Sequence, residues 1–198
     1  MDLWGSEISN NGAAILEMFP RLSFLNLAWT QVTKLPYLPS ITYLNMSNCT
    51  VQAVSNGETR AKIPLSKFIV TGATIVDFNE VLANVEASCM TFLDISGSSI
   101  SDFEFLVNMR RLEHLDLSSS KMSDSLIEHV THIGENLRYL NLGKTKTTSQ
   151  AISTLAEHVP NLESLTLSYT EVDDVSLSYI GMMTSLREVD LSHTKIKG

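Results

Sequence analysis

The chain has 198 residues, 43% hydrophobic and 18% charged, a balance that fits a folded globular protein and excludes a disordered tail. Its formal charge of −8 opposes phosphate binding and so argues against nucleic acid, and no apolar run nears the roughly 20 residues that cross a bilayer. Two cysteines, Cys49 and Cys89, are too few for a disulfide-stapled secreted domain, and no basic, apolar leader is visible, which points to the cytoplasm or nucleus.

In chain order, the first phrase is "MDLWGSEIS", and a longer version of it then recurs. It reads "LSFLNLAWTQV" at 22–32, "ITYLNMSNCTV" at 41–51, "LSKFIVTGATI" at 65–75 and "MTFLDISGSSI" at 90–100. It continues as "LEHLDLSSSKM" at 112–122, "LRYLNLGKTKT" at 137–147, "LESLTLSYTEV" at 162–172 and "LREVDLSHTKI" at 186–196. Each phrase has apolar residues in columns 1, 4, 6 and 11, with Thr147 the one polar exception, and a small residue in column 9. In the opening phrase Leu3 takes column 6, Ser6 column 9 and Ile8 column 11. Successive column-6 residues, from Leu27 to Leu191, stand 19 to 25 residues apart.

Apolar residues at i and i+2 point to one face of a strand, so columns 4 and 6 predict a short strand in every phrase. The stretches between, such as "DSLIEHVTHIGEN" and "QAISTLAEHVPN", have helical spacing. Asp77, Asp102, Asp124, Ser149 and Asp174 stand two residues past column 11, where a helix cap is expected. Pro36 and Pro39 leave no helix in the shortest turn, and the polar segment near 55–62, with Asn56-Gly57, is expected to be irregular and mobile. One strand and one short helix cannot enclose a core alone, whereas stacked turns bury it continuously.

The pattern L-x-x-L-x-L-x-x-T-x-I resembles the leucine-rich repeat family over the whole chain. The resemblance implies an α/β solenoid, a horseshoe with about nine parallel strands on the concave face and short helices or extended segments on the convex one. Thr, Ser and Cys in column 9, with the 24–25-residue period, are similar to the intracellular ribonuclease-inhibitor-like or cysteine-containing subclass of plant F-box and related proteins. Neither end carries a polar capping repeat, so residues 1–198 read as a single array, an excised section of a longer solenoid whose exposed ends could associate end to end.

Register alone assigns the solvent-facing strand columns. Column 3 holds Phe24, Tyr43, Phe92, His114 and Tyr139, and column 5 holds Asp94 and Asp116. Column 7 is mostly small, and Trp29 and Tyr169 follow in column 8. Aromatic residues on a strand face that is usually polar mark a partner-binding surface, and the two carboxylates suit a partner with a basic surface. His129 and His132 stand three apart beside Glu128 with no third ligand in register, so no metal is expected. No nucleophile with a base and no phosphate-cradling loop is present, so no catalytic residue and no cofactor is assigned. The expected function is a non-enzymatic protein-interaction module, binding through its concave sheet. The alternative is the substrate-recognition region of a ubiquitin-ligase-type or receptor protein, taking a small molecule or peptide on the same face.

Overall fold

The structure, a computed structural model, describes residues 1–53 and 61–198, so most of the segment expected to be irregular at 55–62 lies outside the described residues. The chain divides into two units, Met1–Ile100 and Ser101–Gly198.

In the first unit, strands β1 (Phe24–Asn26), β2 (Tyr43–Asn45), β4 (Lys67–Ile69) and β6 (Phe92–Asp94) pair in parallel in that order. Their register aligns Phe24, Tyr43, Lys67 and Phe92 across one row. The opening phrase joins this ladder through a single bridge, Asp2 to Asn26, rather than as a full strand. On the other side of the turns, β3 (Thr50–Val51) pairs with β5 (Thr74–Ile75), also in parallel. Helix α1 (Asn10–Ala13) runs into a 3-10 turn at Ala14–Met18, and α2 (Phe78–Leu82) is followed by a 3-10 turn at Ala87–Cys89.

The second unit repeats the plan with β7 (His114–Asp116), β8 (Tyr139–Asn141), β9 (Ser164–Thr166) and β10 (Glu188–Asp190), parallel and in register. Its return segments are a 3-10 turn at Glu104–Asn108, another at Asp124–Leu126, and helices α3 (Glu128–Thr131), α4 (Ser149–Ala156) and α5 (Ser176–Ile180). Only α4 reaches two turns, because most return segments are too short to repay helix nucleation. The segment with Pro36 and Pro39 forms no helix, and it buries Leu35 and Leu38 in extended form.

The leucine columns form the core of each unit. Leu25, Leu44, Phe68 and Leu93 in column 4 are fully buried, as are Leu115, Leu140 and Leu165. Thr147, the exception in column 11, is fully buried too, and its hydroxyl lies 2.7 Å from that of Thr145. A buried hydroxyl is tolerated when it has a partner, and here column 9 supplies one. Val189, in column 4 of the last phrase, is 39% exposed.

Where column 9 is threonine, it closes the bend after the strand. Thr30, Thr145, Thr170 and Thr194 donate their hydroxyls to the carbonyl three residues back, at 2.6–2.8 Å. Cys49 donates its thiol to the Leu27 carbonyl of the neighbouring turn at 3.2 Å and is buried.

The recurring polar residues past column 11 divide into two kinds. Asp77 caps α2 by accepting from the amides of Asn79 and Glu80, and Asp102 accepts from the Glu104 amide. Asp124 instead accepts from the amide and hydroxyl of Thr148, and Asp174 from the amides of Lys197 and Gly198. Ser149 donates to Asp173, while Thr148 is the residue that caps α4. A cap and an inter-turn staple require the same acceptor, and a stacked turn offers orphan amides from both directions.

Candidate functional site

The strand face is built by alternation: column 4 points in, so columns 3 and 5 face out. In the first unit, column 3 forms a continuous row. Phe24 and Tyr43 stack with centroids 4.4 Å apart at 20°. The Lys67 ammonium then lies 5.6 Å from the Tyr43 ring and 3.8 Å from that of Phe92. In the second unit, His114 and Tyr139 stack 3.9 Å apart, nearly parallel at 3°. Parallel strands about 4.8 Å apart set this spacing, which suits ring stacking.

Column 5 makes local hydrogen bonds at the strand exits. Asp94 accepts from the amide and hydroxyl of Ser96 at 2.9 and 2.6 Å, and from the Thr71 hydroxyl at 2.9 Å. Asp116 accepts from the Ser118 amide at 2.8 Å and from the Asn141 side-chain amide at 2.9 Å. Asn26, Asn45, Asn141 and Asp190 likewise accept from the amide two residues on. These are local turn bonds that hold the strand's exit, and they engage both carboxylates that were expected to receive a basic partner. Asp94 belongs to the first unit and Asp116 to the second.

Column 8 carries a feature that the candidate set touched only at Trp29 and Tyr169. Its non-glycine residues Trp29, Asn48, Ser119, Lys144, Tyr169 and His193 all have φ between 55° and 61°. Gly5, Gly72 and Gly97 hold the same column at 60–65°. This left-handed conformation suits glycine or asparagine and strains a bulky side chain. The glycines and Asn48 were the readable signal for it. In the second unit the column is itself stacked: Tyr169 and His193 lie 4.2 Å apart at 15°, and the Lys144 ammonium lies 5.4 Å from the Tyr169 ring. Lys67, Lys144 and His193 thus join the surface, although sequence reasoning did not select them.

Charged side chains flank the second unit's strands. Glu163 lies between Arg138, 2.5 Å away, and Arg187, 3.5 Å away, and Lys195 meets Glu171 at 2.9 Å. Lys195 holds the Glu171 carboxyl below its usual range. Hydrogen bonds from Ser192 lower Asp190, and the Lys197 and Gly198 amides lower Asp174. A carboxyl depressed in the folded state adds stability above its unfolded value and loses it as pH falls through the folded one. Amide protection at Lys197 and Gly198, measured by hydrogen exchange, is therefore expected to fall on acidification below the usual carboxylate range. Asp174→Asn, which keeps the acceptor and removes the titration, is expected to flatten that dependence.

Among the described residues no three His, Cys, Asp or Glu side chains converge on a point, and His132 is bonded to the Glu128 carbonyl at 2.7 Å. No helix among the described residues is long and apolar enough to cross a membrane.

Each unit is therefore a leucine-rich repeat stack: parallel strands from a 19–25-residue phrase, helical or extended returns, and threonine hydroxyls closing several of the bends. Solved structures of the same fold include an internalin from Listeria monocytogenes, at TM-score 0.74 and 19% identity, with 96% of this chain and 53% of that one covered. The Toll - Spatzle complex of Drosophila matches at TM-score 0.64 and 19% identity, over 99% of this chain and 27% of that one. A TLR13–ssRNA13 complex matches at TM-score 0.59 and 16% identity, over 98% and 36%. The chain thus spans about half the length of that internalin and about a third or less of the other two. No family model and no curated protein matches the sequence.

Proposed function

We propose that this chain is a non-enzymatic protein-interaction module whose partner lies across the outward strand columns and the column-8 rim. The observation that carries the reading is the pair of aromatic rows, Phe24–Tyr43–Lys67–Phe92 in one unit and His114–Tyr139 in the other. Beside them the column-7 residues Ala28, Ser47, Gly143 and Ser168 are small, so a partner backbone can approach closely. Hollows at Met18–Leu22 and around Asp173, Val175 and Lys195 lie off these rows, which favours a broad partner over a buried small ligand. Substrate recognition for a ubiquitin-ligase-type or receptor protein is a narrower form of the same reading.

The formal charge of −8 favours a protein partner with a basic surface over nucleic acid. The same reading gives no role to a cofactor. The column-9 threonines and the two cysteines support an intracellular, cytoplasmic or nuclear setting of the ribonuclease-inhibitor-like kind. Residues 1–198 are read as one array, with end-to-end association through Val189 and its neighbours at high concentration.

The test compares wild-type protein with Tyr43→Ala/Phe92→Ala/Tyr139→Ala on an affinity column. A captured partner is expected to bind the triple variant at least about tenfold more weakly, since interface aromatics cost more than about 1 kcal/mol each on truncation. Equal binding by a variant with an unchanged circular dichroism spectrum would sink the assignment.

A further inference from the structure

We infer that the strand-exit rim of the second unit, where Lys121, Lys144 and Lys146 gather, takes a short acidic segment of the partner protein. The inference rests on the interaction reading above and gives one part of that surface its chemistry.

Columns 8 and 10 form two rows along this rim, on either side of column 9. In the second unit Lys144 stands in column 8, and Lys121, Lys146 and Lys195 stand in column 10 with one carboxylate, Glu171. Backbone bonds fix which turns are neighbours. The Ser119 amide donates to the Gly143 carbonyl at 2.9 Å, and the Lys146 amide to the Met122 carbonyl at 3.2 Å. Lys121 and Lys146 are therefore on adjoining turns, which pair at about 4.8 Å, and Lys144 is two residues from Lys146 on the same turn. All three lysines are exposed.

The charges on this rim do not cancel. Lys195 meets Glu171 at 2.9 Å, so the one carboxylate of these two columns is already paired. Among the described residues Lys121, Lys144 and Lys146 form no ion pair. Column 10 of the first unit has no cation at all: it holds Glu7, Gln31, Thr50, Thr74 and Ser99. In a chain of formal charge −8, the surface changes sign here. Like charges on adjoining turns reinforce one another's potential within a Debye length of about 8 Å, and an anion relieves their repulsion. Lys144 is also held in place, its ammonium 5.4 Å from the Tyr169 ring, which stacks on His193 at 4.2 Å. A cation ordered before binding loses less rotamer freedom on binding.

The size and border of the strip select the occupant. Asp116 stands on its strand side, and Asp124 and Asp173 on its return side, each carboxylate fixed by hydrogen bonds. A long polyanion would run past the lysines onto these carboxylates and be repelled. A short segment with two or three carboxylates ends inside the strip. The small column-7 residues Gly143 and Ser168 beside it leave room for an extended backbone. Columns 8 and 10 contain no arginine, whose fork grips phosphate bidentately, whereas lysine ammoniums serve single carboxylates as point charges. The chain's total charge favours a partner that is basic elsewhere, and this strip receives its acidic segment.

The probe is a fluorescein-labelled hexaglutamate peptide, followed by anisotropy at low salt. Saturable binding is expected, and it is expected to weaken at least about tenfold for Lys121→Gln/Lys144→Gln/Lys146→Gln, which removes three exposed ion pairs. Arg21→Gln/Lys34→Gln/Lys62→Gln removes the same charge from exposed residues of the first unit and is expected to leave binding within about twofold. A hexaglutamine peptide is expected not to saturate. Absence of saturation by hexaglutamate, an equal loss in both triple variants, or tighter binding of a thymidine hexanucleotide would overturn the inference. If hexaglutamate fails while the column-3 triple variant still loses its captured partner, the acidic segment alone is wrong; if that variant also keeps its partner, the wider reading falls with it.

Discussion

Phe68→Ala is expected to lower the unfolding free energy by about 3–5 kcal/mol, read as a fall in the denaturant midpoint. Column 4 is leucine in most turns, and Phe68 is its one aromatic. It is fully buried and lies parallel to Phe78, the first residue of α2, with centroids 6.1 Å apart at 7°. The larger side chain spans from the strand row to the start of the return helix. Truncation leaves a hole bounded by β2 and β6, whose backbones are held by ladder hydrogen bonds and cannot close in. Phe68→Leu keeps the column's usual residue and most of the volume, so it is expected to cost clearly less than Phe68→Ala.

Gly134→Ala is expected to destabilise the second unit by about 1–3 kcal/mol, the range for overpacking a filled interior. Gly134 is buried in the return segment after α3. A Cβ built there would stand 2.2 Å from the His158 carbonyl oxygen and 2.9 Å from its carbon. The obstacle is backbone of the next turn, so no rotamer change relieves it. The turns must separate locally, which weakens the packing of α3 against α4. Exchange protection of α4 amides is expected to fall before that of β8. Gly181→Ala is the control, since its nearest neighbour is 3.3 Å away and its φ is ordinary.

The strand rows were legible because two periods act together. Alternation places columns 4 and 6 inside, and recurrence every 19 to 25 residues shows that the inside is continuous from turn to turn. Thr147 looked like a fault in that pattern, and its pairing with Thr145 explains it. The turn bonds of column 5 were also within reach: Asn45-Met46-Ser47, Asp94-Ile95-Ser96 and Asp116-Leu117-Ser118 share one spacing of acceptor and donor. The sequence reading assigned Asp94 and Asp116 to the strand face and did not draw these turn bonds from the spacing.

What the sequence determined by itself was the repeat, the direction of every side chain on the strands and the composition of the buried columns. These follow from backbone periodicity, which local residue order specifies. Only the tertiary structure decided how the outward residues spend their surfaces. His114 covers Tyr139, Lys67 caps Phe92, Tyr169 stacks on His193, and Asp174 ties down the turn after it. Each of these depends on side chains about 24 residues apart meeting at the 4.8 Å spacing of neighbouring strands, and on rotamers chosen by that neighbour. Sequence lists the members of a column; stacking decides which of them are left to bind.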